Sequence, residues 1–335
     1  MISVVCPIYN EIKYIENCIQ SILSQDYPQN NLEVLFVDGM SFDGTRDIIM
    51  KYSAQYPFIK LVDNLQRIVP VAMNIGIRKS IGNVIIRLDA HALYPSNYIS
   101  VLVKELDRLN ADNVGVACRT DVMNKTSKTL AIKEVLSNRF GVGNSIFRLG
   151  VDEVLEVDTV PFGCWRRDVF DKYGYYNTRL IRNQDIELNK RIIRGGGHIY
   201  IVPDTYCTYL ARETYLGLCR NNYSNGKWNI LTVYYTKQVD SLSIRHFIPL
   251  LFVLSLLIPI LLSPISLLIV YVTLFSLSLY LVVLGSISLL ICVKKKNKLF
   301  LFIDSFWNIT FIIRLGLFLR PVETVNEKSL IYLCC

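Results

Sequence analysis

From Phe247 to Val293 the chain carries no charged side chain across 47 residues. Such a run is not the surface of a soluble domain. At a rise of about 1.5 Å per residue, roughly 20 apolar residues cross a bilayer, so the stretch suits two crossings better than one. Pro264, after Ser263, is the expected break between them. No GxGxxG follows the first apolar strand and GxxxxGK[ST] is missing throughout, which argues against a dinucleotide fold and a P-loop. The 9 cysteines are odd in number and lack metal-like spacing, so reduced thiols are expected rather than a disulfide framework. No basic patch interleaved with aromatics stands in the charged part of the chain. The net charge of +8 therefore reads as a surface beside anionic lipid, with no nucleic-acid partner. Met1 leads straight into ISVVC without a basic segment, so no signal peptide is expected. There is no internal repeat and no low-complexity linker.

What is present divides the chain in three. Residues 1–240 mix charge and apolar character as a folded domain does, and 241–298 form the expected transmembrane hairpin. Residues 299–335 include a 299–320 stretch with Asp304, Arg314 and Arg320, read as an interfacial or re-entrant helix in preference to a third crossing. Arg245 and His246 before the apolar run, and Lys294, Lys295, Lys296 and Lys298 after it, put both flanks on the cytoplasmic side.

Within the first domain, strand and helix alternate. ISVVC (2–6), EVLFV (33–37), FIKLV (58–62), NVIIRL (83–88) and VGVAC (114–118) read as strands. Helices are expected between them, one capped by Asp43, one over Val69 to Lys79, and one opened by Pro95. Further on, VPFGCWRRDVF (160–170) reads as strand, turn and helix, a helix opens near Gln184, and HIYIV (198–202) is a strand. The predicted class is α/β, a mostly parallel sheet covered on both faces. In such a sheet ligands bind beyond the carboxyl ends of the strands. Those ends here carry CPIYNE (6–11), Asp38, and Asp89-Ala90-His91.

Four segments, CPIYNE, VDGMSFDGT, AMNIGIRKSIGNVIIRLDAHA and NQDIELNKRI, occur in the order and spacing of the family 2 glycosyltransferases. The chain resembles that family over roughly residues 1–230. Its RLDAHA form and C-terminal apolar pair look most like membrane-attached transferases of bacterial exopolysaccharide assembly, the succinoglycan type. The resemblance implies a GT-A nucleotide-diphospho-sugar transferase fold and an inverting transfer to a lipid-linked saccharide. It also implies a bacterial inner-membrane location, with the catalytic domain cytoplasmic, among other polysaccharide-assembly proteins. Asp89 and His91 stand where the family carries Asp-x-Asp, which holds a divalent cation against the donor diphosphate. Imidazole binds Mg²⁺ poorly and tolerates Mn²⁺, so His91 either shifts the metal preference or contacts phosphate directly.

By the same resemblance Pro7, Tyr9, Glu11, Asp38, Arg67, Asp89 and Lys227 belong to the nucleotide and donor site, with Tyr9 against the uracil ring. Asp185 stands at the position of the acceptor-activating carboxylate, with Glu187 as its competitor. Arg87 reads as a solvated arginine on the sheet rim or a phosphate contact, and Asn74 as a partner for buried backbone. The stretch Ser224 to Trp228 lacks the Gln and Arg of the processive Q-x-x-R-W, so processive polymerisation is not expected, and Trp228 reads as a membrane-interface marker. The rival readings are a polyprenyl-phosphate sugar synthase and, in another class, a nucleotide-sugar-binding membrane protein without catalysis.

Overall fold

The computed structural model describes residues 1–143, 145–243, 246–262, 264 and 266–295. Its first half is built on β1 (Ile2–Ile8), β2 (Leu32–Asp38), β3 (Ile59–Asp63) and β4 (Val84–Arg87), hydrogen-bonded in parallel in the order β3-β2-β1-β4. Every residue of β2 is buried, as a central parallel strand covered on both faces requires. α1 (Ile15–Leu23), α2 (Thr45–Gln55) and α3 (Val69–Lys79) connect these strands. Alternate residues of β1 feed two cores. Val4, Cys6 and Ile8 pack with Ile15, Ile19 and Phe36, while Val5 packs with Val37, Met73 and Ile77. α3 lies so close to β1 that a Cβ on Gly76 would stand 2.3 Å from Val5 Cγ1.

The second half departs from the parallel expectation. β5 (Ala92–Leu93) and α4 (Tyr98–Arg108) precede β6 (Asn113–Asp121), which is followed by α5 (Ser127–Leu136), α6 (Arg139–Val142), α7 (Ile146–Leu149) and β7 (Leu155–Glu156). β8 (Cys164–Arg166) then inserts antiparallel between β4 and β6, and α8 (Asp168–Tyr173) and α9 (Gln184–Arg194) cover it. β9 (Ile199–Leu210) runs parallel to β6, with β5 and β7 antiparallel on it. The sheet is therefore mixed. β8 sits in the middle with Cys164 and Trp165 buried, a position its three residues do not reveal as a pattern.

Asp43 is not the cap of α2. Gly44, at φ 98°, takes that position, which a side-chain-bearing residue adopts only with strain. The Asp43 carboxylate instead accepts from the Ile12 N–H at 3.0 Å and from the Thr45 N–H at 3.1 Å, tying the loop after β1 to the start of α2.

Glu33 on β2 is buried and accepts from Ser3 Oγ at 2.7 Å, Ile81 N–H at 2.9 Å and Lys60 Nζ at 2.8 Å. Burial opposes its charge, but Lys60 and then Ser3 outweigh it and hold the carboxyl below its ordinary value. A lowered folded pKa contributes stability that is present above the unfolded value of about 4.3 and lost as pH falls through the folded value. Glu33→Gln is expected to cost about 1–3 kcal/mol at neutral pH. The deficit should shrink below pH ~4. Urea titrations of both proteins at pH 7 and pH 3 check this, and a pH-independent deficit would refute it.

Beyond β9 lie α10 (Tyr215–Thr236), α11 (Ile248–Leu262) and α12 (Leu267–Lys295), the last two packed on each other. Counting only residues whose side chains are described, no helix is long and apolar enough to cross a membrane. Residues 299–335, with the expected interfacial helix, lie outside the described residues. Trp228 is only 4% exposed, buried on α10, and so does not mark a membrane interface. Cys6, Cys18, Cys118, Cys164, Cys207 and Cys219 are free thiols.

Candidate active site

The chain leaves β1 through Tyr9 and Asn10, the latter at φ 55°. This turn is sewn to the loop after β2: the Asn10 N–H donates to Ser41 Oγ at 2.8 Å, and the Glu11 N–H donates to Thr45 Oγ1 at 2.9 Å. The stitching points the half-buried Tyr9 ring towards Arg67, whose guanidinium carbon lies 5.9 Å from the ring centroid. Phe42 meets the ring edge-on at 6.3 Å, and Gly39 leaves room for it, since a Cβ there would approach Tyr9 Cδ2 to 3.0 Å.

At the end of β4, Arg87 turns inward. It is 7% exposed, which overturns the solvated-rim reading. Its Nε and Nη2 donate to the two oxygens of Asp89 at 3.0 and 3.2 Å, a two-pronged, charge-assisted pairing. Burial works against the charge on Arg87, yet Asp89 first, then Tyr176 and Asp185, hold its pKa above the ordinary value. Arg87 thus stands within electrostatic reach of both carboxylates singled out in the sequence. The Asp89 N–H is held by the Tyr94 hydroxyl at 2.8 Å. His91 Nδ1 lies 3.4 Å from Glu11 Oε1, and its ring meets Tyr14 and Tyr209 edge-on. Burial lowers the imidazole's pKa, but Glu11 and Asp89 outweigh it, so the net shift is upward.

A cleft of about 300 Å³ opens at the carboxyl ends of β1 and β4. Pro7, Tyr9, Glu11, Arg67, Asp89 and His91 all border it, brought together from three separate stretches of sequence. As a donor set for a cation, Asp89 and His91 offer one oxygen and one imidazole nitrogen, a mixture that suits Mn²⁺ better than Mg²⁺. Among the described residues no group of three or more His, Cys, Asp or Glu is placed to hold a metal by itself. The pair fits a cation that takes its remaining ligands from a bound diphosphate.

Other expected site residues lie elsewhere. Asp38 is fully buried, accepts from Ser41 N–H at 2.9 Å and pairs with Arg46 at 2.5 Å, so it is not on the cleft wall. Lys227 lies on α10, also outside the cleft lining. Asn74 holds the Tyr176 backbone through two hydrogen bonds of 2.9 Å, as its reading anticipated. Asp185 opens α9, half-buried, its Oδ1 accepting from the Ile186 N–H at 2.9 Å. Glu187 is buried, clasped by Arg191 at 2.7 and 2.9 Å, and outside the cleft lining.

Tyr209 and Arg212, at and just past the end of β9, border the cleft and were not anticipated. Nor was the seam between α9 and α10. Asn221, Asn225 and Asn229 recur every four residues on one face of α10. Arg182 donates to Asn221 Oδ1 at 3.0 Å and Asn225 Oδ1 at 2.7 Å, while Asn183 Nδ2 donates to Asn229 Oδ1 at 3.0 Å. The spacing of the asparagines was the available signal, but nothing local says what they meet.

Residues 3–174 match the family model described as glycosyl transferase family 2. A Methanococcus voltae protein, dolichyl N-acetyl-alpha-D-glucosaminyl phosphate 3-beta-D-2,3-diacetamido-2,3-dideoxy-beta-D-glucuronosyltransferase, is 28% identical over 231 residues, covering 67% of this chain and 71% of its own. The succinoglycan biosynthesis protein ExoA of Rhizobium meliloti (strain 1021) is 28% identical over 235 residues, 67% of each chain. The mannosyltransferase PcManGT of Pyrobaculum calidifontis, solved with GDP-Man and Mn²⁺, superposes with a TM-score of 0.57 at 18% identity, covering 94% of this chain and 85% of its own. That likeness is one of fold, the GT-A architecture.

Proposed function

Because the chain belongs to glycosyl transferase family 2, we propose that it moves one sugar from a nucleotide-sugar donor, UDP-linked, to a lipid-linked saccharide, with inversion. The observation that carries this reading is the convergence of Tyr9, Glu11, Arg67, Asp89 and His91 on one cleft. An aromatic face, an arginine beside it and a carboxylate–imidazole pair suit a base, a diphosphate and its counter-charge. The Methanococcus voltae relative is named for a dolichyl-phosphate-linked acceptor and the Rhizobium meliloti one for succinoglycan biosynthesis, which supports a lipid-linked acceptor in polysaccharide assembly.

In this mechanism Tyr9 and Arg67 seat the nucleotide, and Pro7 and Glu11 shape the turn under it. Asp38, paired with Arg46 below the cleft, fixes the loop that carries Ser41 and so acts on the nucleotide from behind. Asp185 takes the proton from the acceptor hydroxyl as that oxygen attacks the anomeric carbon. The bond to the diphosphate breaks on the opposite face and its electron pair leaves with the phosphate oxygen. Asp89 and His91 would hold a divalent cation, Mn²⁺ or Mg²⁺, which would supply positive charge to that leaving group.

The reading places the enzyme on the cytoplasmic face of a bacterial inner membrane, anchored by 241–298. Leu267, Leu268, Tyr271 and Phe275 on α12 are each more than 60% exposed, an apolar surface that lipid would cover. Full-length protein in membranes containing polyprenyl-linked saccharides, offered a panel of nucleotide sugars with products identified by mass, tests the proposal. An acceptor-dependent sugar adduct is expected; consumption of no donor in the presence of any acceptor would sink it.

A further inference from the structure

Four arginines packed into the fold are neutralised or fully satisfied. Arg46, Arg87 and Arg191 each pair with a carboxylate, Asp38, Asp89 and Glu187. Arg167 has no acid, but its Nε, Nη1 and Nη2 all donate, to Gly82 O at 2.6 Å, Ile77 O at 3.0 Å and Ser80 O at 2.9 Å. Arg182 and Arg212 break the pattern. Both donate through Nη1 to one neutral oxygen, Asn221 Oδ1, at 3.0 and 2.6 Å. Among the described residues neither is in a salt bridge, and Arg182 Nε is buried with no hydrogen-bond partner.

Two half-buried guanidiniums meeting at one uncharged amide repel each other at close range, and among the described residues no carboxylate forms a hydrogen bond or salt bridge with either. A structural clip would be better made with aspartate at position 221 or 225. An uncompensated arginine pair with donors to spare is what binds a phosphate group, through the fork geometry of each guanidinium. The location gives it a use. Arg212 lines the donor cleft, Arg182 stands three residues before Asp185, and α10 leads along the chain to the apolar α11 and α12.

We propose that Arg182 and Arg212, presented by Asn221 and Asn225, form an anion site adjoining the donor cleft. Its ligand is a phosphate or diphosphate ester, namely the group that joins the acceptor saccharide to its lipid. The identity of that ligand rests on the glycosyl-transfer reading; the binding of a phosphate anion does not. The alternative source of the same chemistry is the donor's own diphosphate.

The first arm of the test is binding of inorganic pyrophosphate to the full chain in detergent, with chelator present. Arg182→Gln and Arg212→Gln are each expected to weaken it about tenfold or more. Asn225→Asp is the decisive variant. It gives Arg182 a carboxylate, so a merely structural clip would keep or gain thermal stability and lose nothing else, whereas an anion site loses pyrophosphate affinity by about tenfold. Pyrophosphate binding unchanged in all three variants overturns the proposal.

The second arm is transfer by the full chain in nanodiscs. A KM raised about tenfold by Asn225→Asp for a phosphate-bearing lipid-linked saccharide, with the nucleotide-sugar KM and the KM for an alkyl glycoside of the same sugar unchanged, assigns the site to the acceptor. A raised nucleotide-sugar KM alone overturns the acceptor assignment and gives the site to the donor diphosphate. Wild-type protein that binds pyrophosphate through these residues yet turns over no donor would refute the transfer reading and leave the anion site standing.

Discussion

Asparagine in place of Asp185 is expected to lower kcat by roughly 10²- to 10⁴-fold, while nucleotide affinity stays near that of the parent protein. A sugar hydroxyl is a very weak acid, so its attack on the anomeric carbon needs a base placed to take the proton. Asparagine keeps the shape of the side chain and its Oδ1 bond to the Ile186 N–H, so α9 should stay where it is. The control is Glu187→Gln. That carboxylate is buried against Arg191, so its loss leaves a partly unpaired guanidinium and should cost about 1–3 kcal/mol of stability. Turnover per folded molecule should change little. The same experiment separates two enzymatic readings, because a polyprenyl phosphate acceptor is already ionised and needs no base. Near-normal turnover in Asp185→Asn, with a lipid-phosphate product, would make the protein a polyprenyl-phosphate sugar synthase.

The parts of this site that could be read in the sequence share one property: they sit where a regular element stops. Tyr9 and Glu11 follow β1, and Asp89 and His91 follow β4, and strands of a parallel sheet deliver their ends to a common rim. Hydrophobic runs mark those strands well enough to place the rim. Arg87 was harder. Residues two apart on a strand share a face, so its pairing with Asp89 was geometrically available. Its burial depended on β8 and on Gly163 just before it, whose carbonyl accepts the Arg87 N–H at 3.0 Å. A three-residue antiparallel strand arriving from far along the chain has no periodicity to announce it. Arg182, Arg212 and Asn221 illustrate the same limit more strongly, since each lies on a different segment and only tertiary packing makes them neighbours. Asp38 shows the converse. Its position at the end of β2 was legible, but Arg46, one helical stretch later, turned it into the fold and off the cleft wall.

Removing the charge of Asp89 is expected to abolish transfer, by on the order of 10²-fold or more, because the diphosphate would depart with less of its charge balanced. The choice of substitution follows from Arg87. Alanine would leave that guanidinium buried opposite nothing, at a cost of about 3–5 kcal/mol, and a loss of activity could then be a loss of fold. Asparagine retains one oxygen for Arg87, so Asp89→Asn should lose less stability than alanine, about 1–3 kcal/mol, stay folded, and still fail to transfer. Titration with Mn²⁺ should give the parent protein a saturable gain in turnover and the variant little. His91→Asp replaces the imidazole nitrogen by a second carboxylate oxygen, and should keep activity while moving the preference from Mn²⁺ towards Mg²⁺. Full turnover by Asp89→Asn in excess chelator would remove the cation from the mechanism, and leave the arginines to balance the leaving group by themselves.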